Sequence, residues 1–279
     1  MRVDQLWNYP VKSMIGTRVN EVIVSPLGIV GDRHWAIRDT ERGGIRGAKK
    51  IGELMQCTAR RSENDSSVVV ITLPNGIEVS SDSPDIDRML SDALGRQVLL
   101  QALPIDNDIE HFRRGPADTD DVMQELRSIF GRDENEPLPD FSVFPPEVAT
   151  LESPLGTHHD CWPLLVMTTS AMSALQQALP ESVIDVLRFR PSIMINTPES
   201  DGHPEFSWKG RTARIGSVVV EFLDPCPRCV MITRRINDAI PQDRSILRHV
   251  VRDLNQNVGV YARVVTPGEI SVGNELDFL

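Results

Sequence analysis

Val218-Val219-Val220-Glu221-Phe222-Leu223-Asp224-Pro225-Cys226-Pro227-Arg228-Cys229 is the stretch whose reading orders the rest of the chain. Its first half is apolar and rich in valine, the composition of a buried strand. Its second half is Cys-Pro-Arg-Cys. A thiol at the end of a buried strand is well placed to act on a ligand in a crevice. Val230-Met231-Ile232-Thr233 follows and, being largely β-branched, also reads as strand. Three chemistries are open to the two cysteines. A redox dithiol belongs at a helix N-terminus, which the strand reading of 230–233 counts against. A structural zinc site needs four ligands; Cys57, Cys161, His158 and His159 are available, but there is no second CxxC. A single working thiolate beside Arg228 is the third, and a thiolate is a soft ligand suited to a heavy transition metal. Two buried, inert cysteines remain the plain alternative.

Outward from that stretch, strands dominate. Residues 19–24, 34–38 and 68–73 alternate as strands, with Pro74-Asn75-Gly76 as a hairpin turn. Ile86, Met89, Leu90, Ala93 and Leu94 share one helical face, and Gly95 stops that helix. A second block starts near Pro163. Residues 164–167 read as a buried strand, and Thr168-Thr169-Ser170 caps a helix with Met172, Leu175 and Leu179 on its apolar face. Residues 192–195 and 218–223 are further strands, a helix runs from about 245 to 254, and 259–265 and 270–278 close the pattern across Thr266-Pro267-Gly268. The expected fold is mainly β with α: β-barrel cores with decorating helices.

The chain has 279 residues, 40% hydrophobic and 25% charged, with a net charge of -11. That is a globular composition. No run is apolar enough to cross a bilayer, no charged-then-apolar signal opens the chain, and four cysteines are too few for a disulfide framework; the expectation is a cytoplasmic protein with no membrane role. Residues 106–140 carry eleven acids against four arginines, so most of the acidity sits there. With its prolines, the segment reads as a long surface loop or partly helical insertion, a solvated excursion able to attract a basic partner. No basic face marks a nucleic-acid polymer as ligand.

Three further constellations carry chemistry. Tyr9-Pro10-Val11-Lys12-Ser13 puts a cation and a hydroxyl just after a strand, where both can meet an anion. Arg188-Phe189-Arg190-Pro191-Ser192 precedes a strand, and in extended chain its two arginines share a face suited to phosphate or a pterin edge. His158-His159-Asp160 offers metal ligands, but adjacent histidines on a strand face opposite ways, which favours a loop role.

Taken in order, these motifs resemble one family. Tyr9-Pro10-Val11-Lys12-Ser13, Gly31-Asp32-Arg33, Arg188-Phe189-Arg190-Pro191, Trp208-Lys209-Gly210, Pro227-Arg228-Cys229, Gly259-Val260-Tyr261 and Pro267-Gly268 look like a MOSC-domain protein. The chain resembles the branch with an N-terminal MOSC β-barrel domain, which includes the bacterial N-hydroxylaminopurine-detoxifying protein and the mitochondrial amidoxime-reducing component. The resemblance implies an N-terminal β-barrel-like domain over 1–103, the acidic linker over 104–150 and a MOSC β-barrel over 151–279.

It also implies a molybdenum cofactor, a pyranopterin dithiolene. The family's metal-ligating and catalytic cysteine matches Cys229, which leaves Cys226 without a required role. Its cofactor-binding positions match Lys12, Ser13, Thr168, Arg188, Arg190, Ser192 and Arg228, with Lys49 (Lys50 beside it) nearest the family's arginine after the third N-terminal strand. Ser192 stands where relatives often carry asparagine, and His158-His159 where they often carry an aromatic pair. The family association also brings pyridoxal phosphate binding as an expectation. The implied activity is reduction of small N-oxygenated compounds. The sequence holds no flavin, haem or iron–sulfur motif, so a separate electron-donor protein is expected. The alternatives are a non-catalytic carrier of the cofactor or of sulfur on Cys229, and a barrel that uses no molybdenum at all.

Overall fold

The computed structural model describes residues 1–106 and 108–279. Its largest sheet has eight strands. In spatial order they are Leu276–Phe278, Thr212–Ile215, Val218–Pro227, Asn257–Thr266, Leu164–Thr168, Ile193–Asn196, Arg2–Asn8 and Thr17–Val19. Every neighbouring pair is antiparallel except Leu164–Thr168 with Ile193–Asn196. That parallel pair needs a crossover, and the helix Thr169–Ala178 lies within it. Three further sheets have three strands each. The fold is mainly β with fewer helices, as the sequence pattern requires.

Period-two burial explains the central strand. Val218, Val220 and Phe222 are fully buried while Val219 and Glu221 are half-buried. Each inward side chain contributes about 1.5–3 kcal/mol by burial. The ladder to Asn257–Thr266 shifts register between Phe222 and Pro225 and again before Pro227. Prolines cannot donate to the ladder, so the strand loosens where Cys226–Cys229 begins.

The two ends of the chain interlock. Arg2–Asn8 pairs with Ile193–Asn196, and Glu21–Ser25 pairs with Gly268–Ser271. A core of Val3, Leu6, Val166, Ile193, Val220 and Val260 fills the large sheet. A second, built from Ile37, Ile51, Leu54, Met55, Ile71 and Leu90, fills the N-terminal block and takes in Met231 from the C-terminal one.

Four local expectations are corrected. Val230–Thr233 is a 3-10 turn rather than a strand, because the broken ladder after Pro227 leaves it no partner and Met231 and Ile232 bury into different cores. Residues 270–278 are two short strands, Gly268–Ser271 and Leu276–Phe278, separated by a turn at Gly273, whose φ is 90°. Arg188 and Arg190 do not share an extended face. Asp185 accepts a hydrogen bond from the Leu187 amide at 2.8 Å and starts the one-turn helix Val186–Phe189, after which Arg190 turns left-handed at φ 58°.

The acidic segment is the fourth. It is a partly helical surface insertion, as expected, but it is tied down rather than a free excursion. Asp118 pairs with Arg46 and Lys50 at 3.0 Å each, and Glu125 also holds Lys50. Asp133 holds Arg248 at 2.7 Å, joined there by Glu136. Asp108, Asp121 and Asp140 cap the starts of short helices. Much of the acidity is spent on local structure and on clamping the segment to both halves of the molecule. No helix among the described residues is long and apolar enough to cross a membrane.

Candidate functional site

Two cavities meet at the end of the central strand. One, of about 120 Å³, lies among Lys12, Ser13, Arg33, Arg190, Ser192 and Arg228. The other, of about 510 Å³, opens between the N-terminal block and the acidic segment. Asp160, Cys161, Pro227, Cys229 and Tyr261 line both. Cys229 therefore sits at the junction, half-buried, while the other three cysteines are buried and all four are free.

The small cavity is cationic for identifiable reasons. Lys12 follows the strand Arg2–Asn8 and is 3% exposed; its Nζ donates to Asp160 Oδ1 at 2.6 Å and to the His158 carbonyl at 2.8 Å. Ser13 turns left-handed at φ 69°, and its Oγ accepts from the Ala48 amide at 2.9 Å. A Cβ on Gly47 would lie 2.7 Å from that oxygen, so only glycine lets the two loops approach. The Tyr9 ring is bracketed by Arg33 and Arg190, 4.5 and 4.3 Å from its centroid. Arg33 is neutralised by Asp32. Arg190 and Arg228 meet no carboxylate among the described residues; Arg190 donates to the Met14 carbonyl, and Arg228 donates to the Phe189 carbonyl at 2.8 Å and to Cys226 Sγ at 3.2 Å. Burial, reinforced by Arg33, pulls Arg190 down to about 10, which leaves it charged at neutral pH. Arg228 Nε is buried without a partner. Two buried guanidinia with unspent charge are a site for an anion.

Asp160 links the cavities. Its second oxygen holds Lys49 at 3.1 Å. Partial desolvation opposes its charge, but Lys12 and Lys49 prevail and hold its carboxyl well below the ordinary range. Burial likewise opposes the Lys49 charge, and Asp160 and Cys229 outweigh it, so the ammonium is held above its usual range. Behind the junction, burial pushes Cys161 up to about 12 and Cys226 in the same direction. Those two pack against Tyr261 as a small separate core.

Most of the expected site residues gather here: Lys12, Ser13, Arg190, Ser192, Arg228 and Cys229 on one cavity, Lys49 and Cys229 on the other. Lys50 turns away to Asp118 and Glu125. Arg188 borders the small cavity, but its guanidinium is spent on the carbonyls of Val183, Ile232, Arg234 and Pro241. Thr168 lies on neither cavity; it caps the helix through the Ala171 amide and donates to the buried Glu205 at 2.7 Å. The four zinc candidates do not assemble: Cys57 belongs to the N-terminal core, Cys161 packs with Tyr261, and no three His, Cys, Asp or Glu among the described residues form a metal nest. His158 and His159 sit in a loop, as expected, and His158 bonds His111 at 2.9 Å.

Sequence reasoning missed Asp160 as the hub, although it quoted the triplet that ends in it. It also missed Arg132, which reaches in from the acidic segment and donates to the Arg228 carbonyl at 3.0 Å. No sequence signal marks that contact.

Comparison with known proteins accords with this geometry. The MOSC domain model matches residues 156–277, and the MOSC N-terminal beta barrel domain model matches residues 1–112. The chain is a MOSC-domain protein. A curated relative, "Mitochondrial amidoxime reducing component 2" of Macaca fascicularis, is 26% identical over 253 residues, covering 83% of this chain and 66% of that protein. The chain thus spans just under two thirds of that relative's length. Among solved structures, the YUAD protein of Bacillus subtilis aligns over 99% of this chain and 94% of its own at 10% identity and a TM-score of 0.46. YiiM of Escherichia coli aligns over 45% and 58% at 16% identity and a TM-score of 0.34. Scores this low do not establish a shared fold. In this MOSC-domain protein, the segment between the two matched domains supplies one side of the larger cavity.

Proposed function

We propose that this MOSC-domain protein is a molybdenum-cofactor-dependent reductase of small N-oxygenated compounds, fed by a separate electron-donor protein. The observation that carries the reading is Cys229: a half-buried sulfur where a cationic pocket with two uncompensated arginines meets a larger cavity. The donor set fits a molybdenum–pterin group. Lys12, Ser13, Arg190, Ser192 and Arg228 would hold its anionic and pterin edges, the otherwise partnerless Arg228 Nε among them. Cys229 would give the thiolate.

When bound, such a group supplies a two-electron reduction: R–NH–OH takes two electrons and two protons, the N–O bond breaks, and an amine and water leave. The residues of this chain do the rest. Lys49 and Asp160 place a fixed ion pair beside Cys229, at the mouth through which substrate and protons pass. The buried cluster of Cys161, Cys226 and Tyr261 closes the site from behind. Pyridoxal phosphate is a poorer fit, since a Schiff base needs a free amine and both lysines at the junction are tied to Asp160. Four free cysteines accord with a cytoplasmic setting.

The test is metal and pterin analysis of the protein made in a molybdenum-replete host, followed by turnover of an N-hydroxylated compound with a chemical reductant. Stoichiometric molybdenum with turnover supports the reductase. Stoichiometric molybdenum handed to an acceptor protein without turnover would mean a carrier. Protein that takes up no molybdenum would sink both.

A further inference from the structure

A third cavity, of about 440 Å³, shares no lining residue with the other two. The helix Val122–Phe130 stands between it and the larger one. That helix turns Leu126 and Ile129 to the larger cavity, and Gln124, Arg127 and Ser128, at i, i+3 and i+4, to this one. Val230 and Thr233, from the 3-10 turn that follows Cys229, also border it. Arg127, Arg132, Arg234, Arg244 and Arg248 line it, and no carboxylate does. Two of the five have ion-pair partners among the described residues. Arg248 pairs with Asp133 at 2.7 Å and with Glu136, and Arg244 reaches Asp133 at 3.5 Å. The other three donate to carbonyls, which leave their charge unanswered. Arg127 donates to those of Asp133 and Glu136 at 2.8 and 2.9 Å, Arg132 to that of Arg228, and Arg234 to that of Lys49 at 3.1 Å. Arg234 Nε and Arg248 Nε are buried without a hydrogen-bond partner.

We propose that this cavity is a second ligand site, for a phosphorylated small molecule whose diphosphate group is held by the arginines. A guanidinium fork matches the oxygens of a phosphate, and five arginines against two carboxylates call for a ligand with more than one negative charge. A single carboxylate would answer one arginine and leave the others. The rest of the lining is neutral. Gln124, Ser128 and Gln242 offer hydrogen bonds, and Val230 and Leu247 offer carbon, which suits an organic body such as a nucleoside. The volume is that of a small-molecule site. Arg132 is 6% exposed and the Arg248 side chain 16%, so their guanidinia are met inside the cavity and not across a flat face. That favours a small ligand over an acidic protein. The positive surplus is local, since the whole chain carries a net charge of -11. Nothing in this site depends on the chemistry at Cys229.

The experiment titrates the full chain by calorimetry with four probes: ADP, inorganic pyrophosphate, adenosine and citrate. ADP and pyrophosphate should bind in the micromolar range at low salt and weaken as salt screens the arginines. Adenosine and citrate should not bind at the same concentrations. Arg234→Gln and Arg244→Gln should each weaken ADP by about tenfold, the loss of one charge-assisted hydrogen bond. Arg190→Ala, which removes a cation from the other cationic pocket, should leave ADP affinity unchanged. Hydrogen exchange on the wild-type chain needs no variant to fold: ADP should slow exchange at residues 127–132 and 244–248 and leave residues 9–14 as they were. ADP affinity unmoved by both glutamine variants, affinity lost in Arg190→Ala, or protection at 9–14 in place of 127–132 and 244–248 would each overturn the site. Citrate bound as tightly as pyrophosphate would overturn the assignment to phosphate.

Discussion

At the scale of single residues, the two cysteines of Cys-Pro-Arg-Cys have unlike surroundings. Cys226 is 4% exposed, packs with Cys161 and Tyr261, and accepts from Arg228. Cys229 borders both cavities. Cys229→Ser should therefore abolish reduction, while Cys226→Ser, whose hydroxyl can still accept from Arg228, should keep most of it. Equal losses in the two variants, measured as kcat with a chemical reductant, would restore the dithiol reading. The arginines divide in the same way. Arg190 carries a buried charge with no carboxylate to answer it, and a charge-assisted bond to an anion is worth about 1.5–3 kcal/mol. Arg190→Ala and Lys12→Ala should lower molybdenum and pterin content together while circular dichroism stays native. Full cofactor content in both would remove them from the site. Arg188→Ala should instead cost stability, because its guanidinium stitches four carbonyls of the fold.

At the scale of elements, the loop from Ser153 to Asp160 sets a pH dependence. His158 and His159 are buried, and desolvation, with Lys12 beside the first and Arg33 beside the second, holds both well below their ordinary range. A histidine kept neutral by the fold binds its proton more readily in the unfolded chain. Stability should then fall as pH drops below the unfolded value near 6.5, by about 1.4 kcal/mol per pH unit for each histidine. Thermal melts between pH 7 and 5 measure this, and a His158→Gln/His159→Gln variant should flatten the slope; a slope unchanged in that variant would refute the assignment. Asp160 acts lower down. Its depressed carboxyl contributes fully above the unfolded value near 3.9 and is lost as pH falls through the folded one, an effect kept small by its 41% exposure. The same loop marks the limit of what sequence could show. Strands such as Val218–Pro227 were legible because burial alternates along them, and Thr168 was legible as a cap because its position before an apolar helix face is local information. Asp160 was not, because its role depends on Lys12 and Lys49 arriving from far along the chain. Val230–Thr233 was misread because β-branched residues favour strands only where a partner strand exists, and here the ladder ends at Pro227.

At the scale of the whole molecule, the acidic segment decides whether charge serves docking or architecture. Composition alone argues for a solvated excursion that steers a basic donor. The ion pairs argue otherwise: Asp118 and Glu125 fasten the segment to Arg46 and Lys50 of the N-terminal block, and Asp133 and Glu136 fasten it to Arg248 of the helix Ser245–Asp253. Between these clamps it forms one wall of the cavity that ends at Cys229. Loosening one clamp should therefore open the wall. In Asp118→Asn/Glu125→Gln, limited proteolysis between residues 113 and 140 should run several-fold faster than in wild type. Turnover of an N-hydroxylated substrate should fall alike with a protein donor and with a small chemical reductant, because a wall of the cavity beside Cys229 is what is disturbed. Salt should mimic the variant only in part, since Asp118 is 40% exposed and screened while Lys50 and Glu125 are each 13% exposed. A loss confined to the protein donor and relieved by salt, with proteolysis unchanged, would mean that these carboxylates steer a partner after all and that the clamp is incidental.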